Sequence, residues 1–150
     1  MLLDAIAGFQ KEESLYGLGT SLAGLALLYQ VCDRLVEARL QYQEALAIFT
    51  RIGDRSNIAK TLGNIGLLYR EEGEMQYAID YQQMALSAYR EIGEAHGEAT
   101  ILVNLAHLFQ TLEESVEADK YAAEARNLCI AKGYQDQLMR LESTLARSLD

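Results

Sequence analysis

The chain has 150 residues, half of them apolar and 23% charged, which is the composition of a folded globular domain. Its net charge of −9, from 22 acidic and 13 basic side chains, disfavours binding to nucleic acid or to an anionic membrane surface. Proline is absent, so no residue prevents the chain from being helical almost throughout.

The ends and the cysteines of the chain favour a cytoplasmic protein. The N-terminus, MLLDAIAGFQKEE, has no basic segment before its short apolar run and makes a poor signal peptide. No stretch reaches the roughly 18 consecutive apolar residues that span a bilayer. Cys32 and Cys129 lie far apart without CxxC spacing, and we expect two buried free thiols.

Apolar residues recur along the chain at the three- and four-residue spacing of a helical face. Near the N-terminus, Ala5 and Ile6 match Ala45 and Leu46, so a partial helix over 1–13 resembles the second helix of a pair that lacks its partner. Gly73 interrupts the pattern where a helix should end. The other predicted helices lie near 15–31, 35–52, 56–72, 75–92, 96–112, 115–131 and 135–149.

The pattern repeats every 40 residues, which indicates stacked helix pairs. The matching columns are Leu22, Leu62 and Leu102; Leu28, Leu68 and Leu108; Tyr29, Tyr69 and Phe109; Ala38, Ala78 and Ala118; and Gly53, Gly93 and Gly133. Small residues such as Gly66 and Ala78 are expected where two helices cross closely. The predicted units are 15–54, 55–94 and 95–134, within one domain over 1–150.

The C-terminal segment 135–150 is predicted to cap the stack. Leu138, Leu141, Leu145 and Leu149 form an apolar stripe, while Glu142 occupies a normally apolar position. With Arg140 and Arg147 it gives the helix a polar outer side, as the end of a solenoid requires.

The second unit resembles the tetratricopeptide repeat. The residues that carry the resemblance are Leu62, Ile65, Gly66, Tyr69, Ala78 and Ala85. The 40-residue period and the linking IGD and IGE are similar to the long-repeat subclass found in kinesin light chains, in Pins/LGN-type adaptors and in bacterial regulatory proteins. The resemblance implies an all-α, right-handed α-solenoid of antiparallel helix pairs, with about three full repeats and extra flanking helices.

No constellation in the sequence predicts catalysis, a metal or a cofactor. His96 and His107 are in no metal-ligand motif, and the run Glu71, Glu72 and Glu74 reads as solvated surface at a helix end. Gly17 and Gly19 lack the preceding strand that a phosphate-binding loop needs. We expect a protein without enzyme activity.

The resemblance implies a groove lined by the first helix of each unit. The residues predicted to bind a peptide there are Lys60, Asn64, Leu67, Arg70, Thr100, Asn104 and His107. In the first unit the equivalent stripe includes Thr20, Ala23, Gly24 and Leu27. The basic clamp for C-terminal carboxylates known in the family is not expected here, because Ala23, Leu27, Thr100 and Asn104 stand where most of its basic or amide groups would be needed.

Asn64 and Asn104 occupy one column of the repeat, and an amide can pair with both the N–H and the C=O of an extended peptide. Equally, each amide can bond within the protein. Three functions remain open: a module that binds an extended or helical segment of a partner, a peptide-sensing domain of a bacterial regulator, and self-assembly into a homo-oligomer through the open ends of the repeat array.

Overall fold

The computed structural model describes residues 1–146, apart from the side chains of Leu2 and Phe9. Within that range the chain forms seven α-helices and no strand. They are α1 (Leu2–Val31), α2 (Leu35–Ile52), α3 (Arg55–Glu71), α4 (Met75–Ile92), α5 (Ala95–Thr111), α6 (Ser115–Lys132) and α7 (Gln135–Ala146). Leu149 and Arg147 of the predicted capping helix lie outside the described residues.

The helices stack as three consecutive pairs. Helices α1 and α2, α3 and α4, and α5 and α6 pack on each other, and the second helix of each pair also packs on the first helix of the next. Helix α7 lies against α5 and α6. The predicted all-α solenoid of antiparallel helix pairs is confirmed.

Residues with positive φ follow six of the helices, α1 to α6. Gly53, Gly93 and Gly133 follow the second helix of each pair with φ of 71°, 70° and 72°. After the first helix, Gly73 is replaced in the other units by Asp33 and Glu113, which nevertheless have φ of 57° and 60°. The packing of the pairs therefore imposes the turn even where the residue lacks glycine's freedom.

The predicted break between a helix over 1–13 and one over 15–31 is wrong, because α1 is continuous. Glu13 stands where Gly53, Gly93 and Gly133 stand in the later units. No earlier helix pair covers this part of α1, and its described side chains are exposed up to Ser14. Without packing to compensate for a left-handed residue, an uninterrupted run of helical hydrogen bonds is the more stable arrangement.

The pairs are held by close crossings between small residues. A Cβ added to Gly66 would lie 3.2 Å from the carbonyl oxygen of Ala78 and 2.9 Å from Nε2 of Gln82. Ala78 and Ala85 are fully buried. Tyr69 stacks beside this crossing on Tyr77 and Tyr81, with ring centroids 5.2 and 5.4 Å apart.

The prediction that both cysteines are buried is wrong for Cys32, which is exposed in the turn directly after α1, whereas Cys129 on α6 is buried.

The outer face of α1 is uncovered. Leu25 and Leu28 are exposed, the latter at 64%, although their equivalents Ile65 and Leu68 in α3 are fully buried against the preceding pair. At the other end, α7 buries Leu141 and keeps Glu142 exposed, with its carboxylate 3.0 Å from the Arg126 guanidinium.

Candidate functional site

Three cavities form a row along the first helices of the units, and we call this row the groove. The first cavity, of about 220 Å³, lies between α1 and α3 over α2. The second, of about 210 Å³, lies between α3 and α5, and the third, of about 200 Å³, between α3, α5 and α7. Lys60 and Asn64 line both the first and the second cavity, and Asn104 lines both the second and the third.

The structure places all seven residues predicted for peptide binding along this row. Lys60, Asn64, Leu67, Thr100 and Asn104 line the second cavity. Arg70 and His107 line the third, together with Asn104. Thr20, Ala23, Gly24 and Leu27 line the first. The spacing in the sequence thus identified one continuous surface.

The two asparagines of the column differ in their surroundings. Asn104 is only 4% exposed; its Oδ1 accepts a hydrogen bond from Nη2 of Arg140 at 3.2 Å, and its Nδ2 donates to Oε1 of Gln82 at 3.4 Å. Gln82 is fully buried and donates from Nε2 to the carbonyl of Gly63 at 2.9 Å. A polar chain therefore runs from α3 through α4 and α5 to α7, and it engages both ends of the Asn104 amide.

Asn64 has no such partners. Forty residues before Gln82 and Arg140 the chain has Tyr42 and Thr100, which supply neither the amide oxygen nor the guanidinium. Asn64 is half-buried, and its side chain makes no hydrogen bond with any residue in the range 1–146. Its donor and its acceptor thus both remain available at the boundary between the first and second cavities.

Tyr42 is a site residue that the sequence analysis missed. Its side chain is 1% exposed and lines the first cavity, yet its buried hydroxyl has no hydrogen-bond partner among the described residues. Burial raises the pKa of Tyr42, and the charge of Glu71 raises it further, so the hydroxyl keeps its proton at neutral pH. The sequence signal for it is the repeat position shared by Tyr42, Gln82 and Ala122. In the first two units a residue with a polar group stands there, within the apolar stripe of the second helix.

The groove is less acidic than the chain as a whole. Among residues 1–146, its lining contains Lys60, Arg70 and Arg140, and a single carboxylate, that of Glu94. One oxygen of that carboxylate accepts a hydrogen bond from the backbone N–H of Gly97 at the start of α5, 3.1 Å away. Lys60 is exposed and forms no ion pair within the described part of the chain.

The other polar groups suggest no further chemistry at the groove. Nε2 of His96 lies 2.6 Å from Nε2 of Gln137, and its ring packs edge-on against Tyr134. Among residues 1–146, no group of three or more histidine, cysteine or acidic side chains is arranged to hold a metal ion. Of the helices described, none has the length and apolar character needed to cross a membrane.

Comparisons with known proteins agree with this architecture. The family model of the tetratricopeptide repeat matches residues 17–91 and 57–131. A search of curated proteins finds no match to the sequence.

Three solved structures illustrate the likeness in fold. Aspartyl phosphate phosphatase F from Bacillus subtilis is similar with a TM-score of 0.87 and 17% identity over 90% of this chain, which spans 35% of the phosphatase. The TPR domain of Arabidopsis FLU has a TM-score of 0.68 and 17% identity, covering 88% of this chain and 98% of that domain. BtubC (BKLC) from P. vanneervenii has a TM-score of 0.67 and 18% identity, covering 97% of this chain and 73% of the other.

Proposed function

Because the chain belongs to the tetratricopeptide repeat family, whose stacked helix pairs form protein interaction surfaces, we propose that its groove binds an extended segment of a partner protein. The observation that carries this proposal is the half-buried Asn64 amide, which lines two adjacent cavities without a hydrogen bond to any described residue. A half-buried amide has already lost part of its hydration, and a hydrogen bond from a ligand compensates for that loss.

The chemistry of the amide fits a peptide backbone. The Asn64 oxygen accepts from a backbone N–H, and its NH₂ donates to a C=O, so one side chain fixes both the position and the direction of an extended segment. In the third unit Asn104 is already bonded to Arg140 and Gln82, so its role is to shape the groove between α5 and α7. The anchoring role therefore falls to Asn64 alone.

The charge of the lining indicates the kind of segment that binds. Three cations against one carboxylate attract an acidic ligand, even though the net charge of the chain is −9. Complementary charge increases the rate of encounter and selects among partners more than it raises affinity. A segment rich in Asp and Glu is therefore the expected ligand class.

The test uses a library of randomised nonapeptides capped at both ends and presented to the immobilised protein. Asn64→Ala is expected to weaken peptide binding about thirtyfold, since it removes two hydrogen bonds worth about 1 kcal/mol each after desolvation is counted. Asn127→Ala is the matched control, because Asn127 is an exposed amide on α6 outside the groove. Equal retention by wild type and Asn64→Ala would contradict the proposal.

A second function, self-association, is favoured by the uncovered face of α1. The equivalents of Leu25 and Leu28 in α3 and α5 are buried against a neighbouring helix pair, so the α1 face has the residues of an internal interface. We expect a second copy to cover it, and light scattering should show a mass that rises with concentration. Leu28→Glu should then yield a monomer; a wild-type protein that stays monomeric at all concentrations excludes this function.

A further inference from the structure

The first cavity differs from the second in having a buried polar group that the fold leaves unsatisfied. The Tyr42 hydroxyl lacks a partner among the described residues, although the ring is 1% exposed. Burying a hydroxyl without a hydrogen bond costs on the order of the bond itself, so native proteins rarely retain one without a use.

The repeat itself shows what the hydroxyl lacks. In the second unit the same position holds Gln82, which bonds the Gly63 carbonyl and the Asn104 amide. In the first unit the corresponding groups are Ala23 and Asn64, and both line the first cavity with Tyr42. The hydrogen bonds that Gln82 makes in the second unit therefore have no counterpart at Tyr42 in the described part of the first unit. The residues in the corresponding positions line a cavity of about 220 Å³ instead.

The polar groups that line the first cavity indicate which kind of ligand group it can bind. The Tyr42 hydroxyl, the Asn64 NH₂ and the Lys60 ammonium can all donate hydrogen bonds, and none of the acidic side chains in the described part of the chain lines the cavity. Glu71, whose charge raises the pKa of Tyr42, lies outside the lining, and its Oε1 accepts a hydrogen bond from Nε2 of Gln30 at 2.7 Å. Ala23 and Leu27 provide an apolar wall for a short aliphatic stem.

We propose that the first cavity is a specificity pocket for one acidic side chain of the bound segment. Its carboxylate accepts hydrogen bonds from the Tyr42 hydroxyl and the Asn64 amide and pairs with Lys60. Charge-assisted bonds of this kind are about twice as strong as neutral ones, and here they satisfy a group that the fold leaves unpaired. The inference rests on the proposed function and adds the residue class that the groove selects.

The experiment sequences the peptides that the capped library leaves on the protein. Because both ends are capped, no C-terminal carboxylate contributes. With wild-type protein, Asp and Glu together should be enriched over Asn and Gln at one position by about tenfold. Tyr42→Phe should abolish most of that enrichment, while Tyr16→Phe, which removes an exposed hydroxyl on α1 outside the cavity, should leave it unchanged.

Stability provides a readout that separates binding from folding. Tyr42→Phe removes a buried, unbonded hydroxyl, so the thermal midpoint of the free protein should stay the same or rise. Lys60→Met should also reduce the enrichment without lowering the midpoint, because Lys60 is exposed and makes no ion pair within residues 1–146.

The possible failures can be told apart. If no peptide is retained beyond the Asn64→Ala background, the proposed function fails and the pocket with it. If retention depends on Asn64 but acidic residues are not enriched, peptide binding in the groove is supported and the proposed specificity pocket is contradicted. The same holds if Tyr42→Phe keeps the full enrichment, or if a library with free C-termini binds better with no preference for Asp and Glu.

Discussion

Gln82 illustrates how one residue can decide the role of another in a repeat. It is fully buried on the second helix of its pair, and it bonds Gly63 on one side and Asn104 on the other. Through it, an asparagine that resembles a ligand-binding residue becomes part of the core. Where Tyr42 takes its place, the corresponding Asn64 remains available.

The polar chain should contribute measurably to stability. Gln82→Ala would leave the buried Nδ2 of Asn104 without its acceptor and create a cavity under Gly66, so we expect a loss of about 3 kcal/mol in the free energy of unfolding. For a chain of this length that corresponds to a fall of roughly 6–12 °C in Tm, measured by circular dichroism.

Gln43→Ala is the control for this substitution, because Gln43 is exposed on α2 and should leave Tm nearly unchanged. A Gln82→Ala protein that melts with the wild type would show that the chain of hydrogen bonds does not stabilise the fold.

For single residues, the sequence predicted which side chains share a surface but not which of them form hydrogen bonds within the protein. Periodicity placed Asn64 and Asn104 on one face because both belong to first helices. The partners of Asn104 lie 22 positions before it and 36 positions after it, on other helices. No local pattern specifies such contacts, and the unpaired hydroxyl of Tyr42 is likewise visible only once α2 is packed beneath the cavity.

At the scale of the elements, the turns are set by packing more than by residue type. Asp33 and Glu113 adopt positive φ between helices that pack as a pair, whereas Glu13, with no pair to form, continues a helix. The period of 40 predicted the helices of the three pairs well because each is repeated. It failed at residue 14 because the turn there depends on a neighbouring pair that the structure does not contain.

Glu113 should therefore be a site where glycine stabilises. A left-handed conformation costs an L-residue roughly 1–2 kcal/mol, so Glu113→Gly is expected to raise the free energy of unfolding by about 1 kcal/mol in urea denaturation. Glu117→Gly, in the first turn of α6, is the matched control and should lower it by a similar amount. A loss of stability on Glu113→Gly would mean that its side chain, and not its backbone, matters at the turn.

At the scale of the whole molecule, the charge is divided between two surfaces. The described lining of the groove combines Lys60, Arg70 and Arg140 with one carboxylate, so the acidic excess behind the net charge of −9 lies outside it. The 40-residue period correctly predicted a helical array, and the resemblance of the second unit to the tetratricopeptide repeat is confirmed by the family model. The period gave no indication of this division, because the side chains that line the groove come from six different helices.

The interruption of the polar chain at Asn64 also bears on how the array unfolds. In a linear stack each pair is coupled only to its neighbours, and the strength of each junction decides whether the pairs melt together or one after another. The junction between the last two pairs is tied by Gln82 and Asn104, whereas the corresponding bonds are missing between the first two. A peptide segment bound at Tyr42 and Asn64 would supply hydrogen bonds at this junction. Its binding would therefore make the three helix pairs unfold together, in one cooperative transition.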